Sequence, residues 1–142
     1  MKEISAGGVV YQKQNDELQF LMIVDRYGKV TLAKGKQEPG ETIEETALRE
    51  ISEETGIEGK LMEHLETVHY DYHHAATKEL VNKVVYYYLV EALTTEITVQ
   101  VEEIQSVRWC SPMEAWKLQQ EKGYLNNESV LRKALAHFGI QV

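Results

Sequence analysis

Among its 142 residues the chain has one cysteine, two prolines and two phenylalanines. A single cysteine, Cys110, excludes an internal disulfide and a zinc site built from several thiolates. No apolar run approaches the ~20 residues that a membrane helix needs. The opening MKEISAGGVV lacks the apolar stretch of a secretory signal, so a cytoplasmic protein with no membrane partner is expected. Basic charge is in deficit: 15 Lys and Arg face 23 Asp and Glu, for a formal net charge of −8. That balance argues against general nucleic-acid binding through a basic surface. Hydrophobic residues at 43% and charged residues at 27% are ordinary for a globular chain. They exclude a disordered tail or a coiled-coil rod, and the length fits one domain over residues 1–142.

Aspartate is also scarce. Only Asp16, Asp25 and Asp71 occur, so nearly all the acid is glutamate, and ten glutamates lie between Glu38 and Glu66. Arg49 and Lys60 are the only bases in that window, which therefore carries the entire net charge. A uniformly soluble surface would not concentrate charge in this way.

The pattern along the chain mixes strands and helices. Residues 4–11 and 18–24 read as a strand pair joined by a polar turn. A short extended piece is expected near 30–32. Residues 33–41, AKGKQEPGE, contain two glycines and a proline and read as irregular loop. Thr42 and Glu45 fit a capping box that opens a helix to about Thr55, with Gly56 as its left-handed stop. Residues 60–72, 81–90, 97–101 and 104–110 read as further strands, with 94–103 as a solvated hairpin. Ser111 and Glu114 fit a second capping box, and a last helix is expected over 128–138, stopped by Gly139. Few long helices interleave with the strands, which predicts α/β architecture: a mixed, partly antiparallel sheet between helices.

Chemistry concentrates in the first helix. Glu50, Glu53 and Glu54 stand at i, i+3 and i+4 and so share one face. Solvent can relieve three converging carboxylates, which would make them an ordinary surface face. A bound cation can also relieve them, and all-oxygen ligands suit Mg²⁺ or Mn²⁺. The preceding loop favours the cation: Lys34 and Lys36 supply positive charge for phosphate, and Gly35 and Gly40 let backbone approach a ligand closely.

Gly35, Glu41, Arg49, Glu50, Ile51, Glu53, Glu54, Gly56 and Ile57 together match G-x5-E-x7-R-E-U-x-E-E-x-G-U, with U aliphatic. This is the signature of the Nudix hydrolases, and the chain resembles that family at every specified position. AGGVV near the start, NKVVYYYLVE at 82–91 and EEIQSVRW resemble the branch that hydrolyses diadenosine tetraphosphate and other dinucleoside polyphosphates.

The resemblance implies an α/β/α sandwich and Mg²⁺- or Mn²⁺-dependent hydrolysis of a pyrophosphate bond in a small nucleotide substrate. It implies Glu50, Glu53, Glu54 and the Gly35 carbonyl as metal ligands, with Arg49 orienting the glutamates. Glu41 would steady the loop, Gly40 would belong to the same structural motif, and Gly56 would end the helix. Glu50 is expected as the general base, with Glu103 as the alternative.

Substrate contacts are expected from Lys34 and Lys36 and from Lys83, in the middle of an apolar strand face. Tyr87 would stack on a base, and Tyr72 and His73 follow the box at a suitable distance. A zinc site at His69, His73 and His74 is disfavoured for want of a fourth ligand. Triphosphate RNA ends, oxidised nucleotides, ADP-ribose and diphosphoinositol polyphosphates stand as alternative substrates. A nucleotide-sensing module that does not cleave is the alternative of another class. The oligomeric state is expected to be monomer or homodimer.

Overall fold

The structure is a computed structural model that describes residues 1–99 and 101–142. β1 (Lys2–Gln14) and β2 (Glu17–Asp25) form a hairpin. Its turn, Asn15-Asp16, has positive φ at both residues, 53° and 65°. Asn and Asp tolerate that left-handed conformation, and the resulting twist suits a tight hairpin. β3 (Val30–Thr31), β4 (Ala33–Lys36) and α1 (Ile43–Thr55) follow. Then come β5 (Gly59–His73), β6 (Leu80–Ala92), β7 (Ile104–Cys110), α2 (Pro112–Lys122), a 3-10 turn (Leu125–Asn127) and α3 (Glu128–His137).

Among the described residues one mixed sheet carries all seven strands. β1 is its spine. One edge runs parallel to β6 from Lys2↔Asn82 to Tyr11↔Glu91. The other edge is shared: Ser5–Gly8 pair with β4, and Tyr11–Gln14 pair with β2. β5 lies antiparallel on β6, and β7 lies antiparallel on β2.

Alternation along β1 separates two cores. Val9 and Tyr11 face α2 and α3 with Phe20, Met22, Val85 and Leu89. Ala6 and Val10 face α1 with Leu21, Ile23, Tyr88 and Val90, against Ala47, Ile51 and Ile57. Helices cover both faces, so the architecture is the expected α/β/α sandwich. Cys110 is buried in the first core. No helix among the described residues is long and apolar enough to cross a membrane.

Two local expectations are corrected. The first half of the 33–41 loop is a strand. β4 reaches β1 because Gly7 lacks a side chain: a Cβ there would stand 1.8 Å from the Ala33 carbonyl oxygen. Glycine composition argued for a loop, whereas here it permits close strand pairing.

The second correction concerns 94–103. Residues 97–99 and 101 form no strand, and Gln100 lies outside the described residues. The backbone of this segment serves the end of α1 instead. The Thr98 amide donates to the Thr55 carbonyl at 2.9 Å, and the Glu58 amide donates to the Thr94 hydroxyl at 3.0 Å. The first of these bonds uses a backbone amide that a hairpin ladder would need for itself.

Ile51 is fully buried and pins α1 to the sheet. Ile51→Ala should lower unfolding free energy by about 2–5 kcal/mol in urea titration, through lost burial and the cavity left behind.

Candidate active site

The expected capping box starts α1: the Thr42 hydroxyl accepts from the Glu45 amide at 3.1 Å, and Glu45 accepts from the Thr42 amide at 2.8 Å. Gly56, at φ 78°, ends the helix. These two boundaries fix which face carries the carboxylates.

β4 brings the basic segment to that face. Its pleat points Lys34 and Lys36 to one side of the sheet and Gly35 to the other, toward α1. A Cβ on Gly35 would lie 2.0 Å from the Glu50 carboxyl carbon. A side chain at this position would displace the Glu50 carboxylate. Gly40 has a different role: its φ of 79° makes a turn, and nothing lies within 4 Å of where its side chain would be. It does not bring backbone close to the carboxylates.

Arg49 organises the acidic face. Its guanidinium donates to both oxygens of Glu41, from Nε at 2.6 Å and from NH2 at 3.0 Å. NH1 donates to Glu50 at 2.8 Å and to Glu53 at 3.2 Å, and NH2 also holds the Lys36 carbonyl at 2.9 Å. One side chain thus ties the helix to the end of β4 and to the loop. The Arg49 guanidinium, with the Thr46 hydroxyl at 2.6 Å, holds the Glu41 carboxyl at about 2. The hydrogen bonds that Arg49 donates to Glu41, Glu50 and Glu53 in turn favour the charged guanidinium.

Glu54 is in the opposite condition. Burial, then the neighbouring Glu50 charge and a carboxyl–carboxyl hydrogen bond, push its pKa far above the usual carboxylate range. The Lys34 amide, 3.3 Å from Oε2, offsets this only in part. Glu50 and Glu54 therefore crowd each other where a proton or a cation is favoured.

Two cavities open here. One, of about 300 Å³, is lined by Lys34, Glu50, Glu53, Glu54, Val101, Glu103 and Ile104. All four expected acidic residues meet in it. The other, of about 360 Å³, is lined by Asp25, Thr31, Lys34, Tyr70, Tyr124, Asn126 and Asn127. Lys34 borders both, and its ammonium stands 5.7 Å from the Tyr70 ring centroid.

Of the six expected substrate contacts, Lys34 alone lines these cavities. Tyr87 is corrected outright: it is 1% exposed, and its hydroxyl donates to Asn127 at 3.3 Å inside the core. No ring face is left for a base.

Lys36, Lys83 and Tyr72 converge instead on Glu3, which the sequence did not single out. Lys83 lies 2.9 Å from Glu3 and Lys36 3.2 Å, and the Tyr72 hydroxyl donates at 2.8 Å. Burial alone would raise the Glu3 carboxyl, but these three partners bring it to about 2. Lys83 is thus neutralised in place rather than left free for phosphate. His73 is exposed at the end of β5. Among the described residues the histidines join no group of three that could hold a metal.

The residues missed by sequence are Asp25, Tyr124, Asn126 and Asn127. They come from the end of β2 and from the turn before α3, which share no motif with the acidic helix. No signal in the sequence pointed to a lining role for them.

Removing the crowded carboxylate has a testable consequence. Below the ordinary carboxylate range Glu54 is neutral in both folded and unfolded chains. Above that range the unfolded chain ionises while folded Glu54 resists, so folding is penalised as pH rises toward its raised pKa. Glu54→Gln should therefore melt higher than the parent in metal-free buffer at pH 7, with the gain vanishing near pH 4; paired thermal melts measure it.

A family model, NUDIX domain, matches residues 1–134. The chain is 36% identical over 109 residues to bis(5'-nucleosyl)-tetraphosphatase [asymmetrical] of Rattus norvegicus, covering 75% of this chain and 73% of that protein. It is also 36% identical over 114 residues to MutT4 of Mycobacterium tuberculosis, covering 75% of this chain but spanning only 45% of that longer protein. Among solved structures, a binary complex of Caenorhabditis elegans Ap4A hydrolase superposes with a TM-score of 0.75 at 28% identity, covering 96% of this chain and 98% of that one. With the family model matched over residues 1–134 and the three signature glutamates lining one cavity, the chain belongs to the NUDIX family.

Proposed function

We propose that the chain is a metal-dependent pyrophosphohydrolase that cleaves a dinucleoside polyphosphate such as diadenosine tetraphosphate. The carrying observation is a pair of cavities that share one wall residue: four glutamates line one, two tyrosines and two asparagines line the other, and Lys34 borders both. A nucleoside fits the aromatic and amide cavity, where rings stack and amides hydrogen-bond. The polyphosphate then passes Lys34 to the acidic cavity. The names of the rat and nematode relatives agree with this substrate class.

The donor set fits a hard divalent ion. Glu50, Glu53 and Glu54 offer carboxylate oxygens only, and Glu54 is crowded enough to exchange its proton for a cation. The Gly35 carbonyl is the further ligand in this reading. Among the described residues no three such side chains are gathered around a metal position as they stand. Glu50 and Glu53 both accept from Arg49, and Glu53 is the exposed one of the two. When bound, Mg²⁺ or Mn²⁺ would neutralise phosphate charge and acidify a water.

The chain's own residues then have distinct tasks. Lys34 holds the phosphate chain. Arg49 keeps Glu50 and Glu53 aligned. Glu50 came first from sequence as the base, but its carboxylate is committed to Arg49 and Glu54. Glu103 lines the same cavity with no side-chain hydrogen bond among the described residues, so this geometry favours Glu103. It takes a proton as the water oxygen bonds to phosphorus, and the bridging oxygen leaves with the other nucleotide. Diadenosine tetraphosphate and water would give ATP and AMP.

With Mg²⁺, turnover of a substrate panel in ¹⁸O-labelled water should yield label in one product only, identified by mass. No hydrolysis of any dinucleoside polyphosphate on that panel would refute the substrate. Glu103→Gln should lower kcat by about 10²-fold or more while calorimetric Mn²⁺ affinity stays within threefold. Glu53→Gln should weaken Mn²⁺ binding as well as turnover. Gly35→Ala should displace Glu50 and cut kcat by at least tenfold in a protein that still folds.

A further inference from the structure

Asp25 closes β2 where the register with β7 breaks, between Val24 and Asp25. Its carboxylate has three partners. Oδ1 accepts the Tyr27 amide at 2.9 Å and the Lys29 amide at 3.0 Å. Oδ2 accepts the Tyr124 hydroxyl at 2.5 Å. The first pair makes an Asx turn that folds residues 25–29 back on themselves. The third reaches across 99 residues to the connector before α3.

That loop touches both sides of the site. The Arg26 amide donates to the Glu103 carbonyl at 2.8 Å, so the loop anchors the backbone of the residue placed as base. On the other side Tyr124 is held by its amide to Val30 at 3.3 Å, by its carbonyl from Gln119 at 2.7 Å, and by its hydroxyl to Asp25. The Lys29 ammonium stands 5.0 Å from the Tyr124 ring centroid and closes the same corner. Asp25 itself lines the aromatic cavity but not the acidic one. Burial alone would raise its carboxyl, and the Tyr124 hydroxyl with the Lys29 and Tyr27 amides more than reverses this. The anion is thus the form that the fold selects, and a charged acceptor makes the stronger bond to a hydroxyl.

We propose that Asp25 is a positioning residue that sets Tyr124 in the aromatic cavity and, through its turn and the Arg26 amide, sets the Glu103 loop at the acidic cavity. One side chain thereby keeps the distance between nucleoside grip and base. This rests on the pyrophosphohydrolase reading above. It assigns Asp25 no contact with the reacting atoms.

The two arms separate by mutation. Tyr124→Phe removes the hydroxyl and leaves the turn intact. It should raise KM for diadenosine tetraphosphate about fivefold with kcat within twofold. Asp25→Ala removes both arms, so it should raise KM by a similar factor and also lower kcat at least tenfold. Asp25→Asn keeps an oxygen for the turn but loses the charge-assisted bond to Tyr124, and it should behave like Tyr124→Phe. Thermal melts show which variants are folded.

A folded Asp25→Ala with parental kcat would overturn the Glu103 arm, and Asp25→Asn with parental KM would overturn the Tyr124 arm. If Asp25→Ala does not fold, Asp25→Asn decides the Tyr124 arm, and Arg26→Pro, which deletes the amide that reaches the Glu103 carbonyl, decides the other: a folded Arg26→Pro with parental kcat would overturn it. Calorimetry with a methylene-bridged, non-hydrolysable analogue of the dinucleotide separates this result from the parent reading. Parental binding without any turnover would remove the hydrolase reading. The Kd of the Asp25 and Tyr124 variants would then still show whether Asp25 sets the aromatic cavity.

Discussion

The acidic face of α1 depends on one guanidinium. Three glutamates along a single helical face repel each other, and the nearest neighbours on β4 approach from only one side. Arg49 resolves this by donating in three directions, to Glu41, to the Glu50–Glu53 pair and to the Lys36 carbonyl. The planar fork suits Glu41 because both carboxylate oxygens are engaged at once. A lysine could not hold that geometry. Glu41 is in turn braced by Thr46, so the loop, the helix and the end of β4 form one connected frame. Glu54 makes no bond to Arg49; burial first, and then the neighbouring Glu50 charge, raise its pKa.

Much of this frame was legible in the sequence because it is local. Capping boxes, the left-handed stop at Gly56 and the spacing of Glu50, Glu53 and Glu54 are all set within a turn or two of helix. Apolar runs joined by a polar turn likewise identified β1 and β2, and β-branched and aromatic content identified β6. What was not legible depends on partners far along the chain. Lys83 looked like an unpaired cation on an apolar face, because Glu3 is its neighbour only through the parallel β1–β6 ladder. Tyr87 looked like a stacking ring, because nothing in the strand says that α3 and Asn127 will cover it. Glycine misled at Gly35, which counted toward a loop although β4 runs through it, while Gly7 in the facing strand lets β4 press against β1.

The same distinction explains why the acidic half of the site was found and the aromatic half was not. Three of the acidic residues stand on one helix, and such a set has a period. A nucleoside-sized cavity needs only walls, and here the walls come from β2, β3, β4, β5 and the connector between α2 and α3. Those residues have no fixed spacing. The final quarter of the chain carries no motif, yet it supplies Tyr124, Asn126 and Asn127 to the cavity and Leu131 and Leu135 to the core beneath the sheet.

The spine strand has a further consequence for how the molecule comes into being. β1 leaves the ribosome first, but its parallel partner β6 begins at Leu80 and pairs with it across about eighty intervening residues. Closing so long a loop before any contact rewards it slows assembly. β4, which carries Lys34 and Gly35, hangs on the opposite edge of that same first strand. During synthesis the β1–β4 arrangement can be reached early, but it stays unsupported on its other edge until residue 92 has emerged. The nascent chain therefore holds its glutamate helix for some time without a finished sheet behind it, and a ribosome-stalled fragment ending before β6 would display the signature in full while lacking the sheet that braces it.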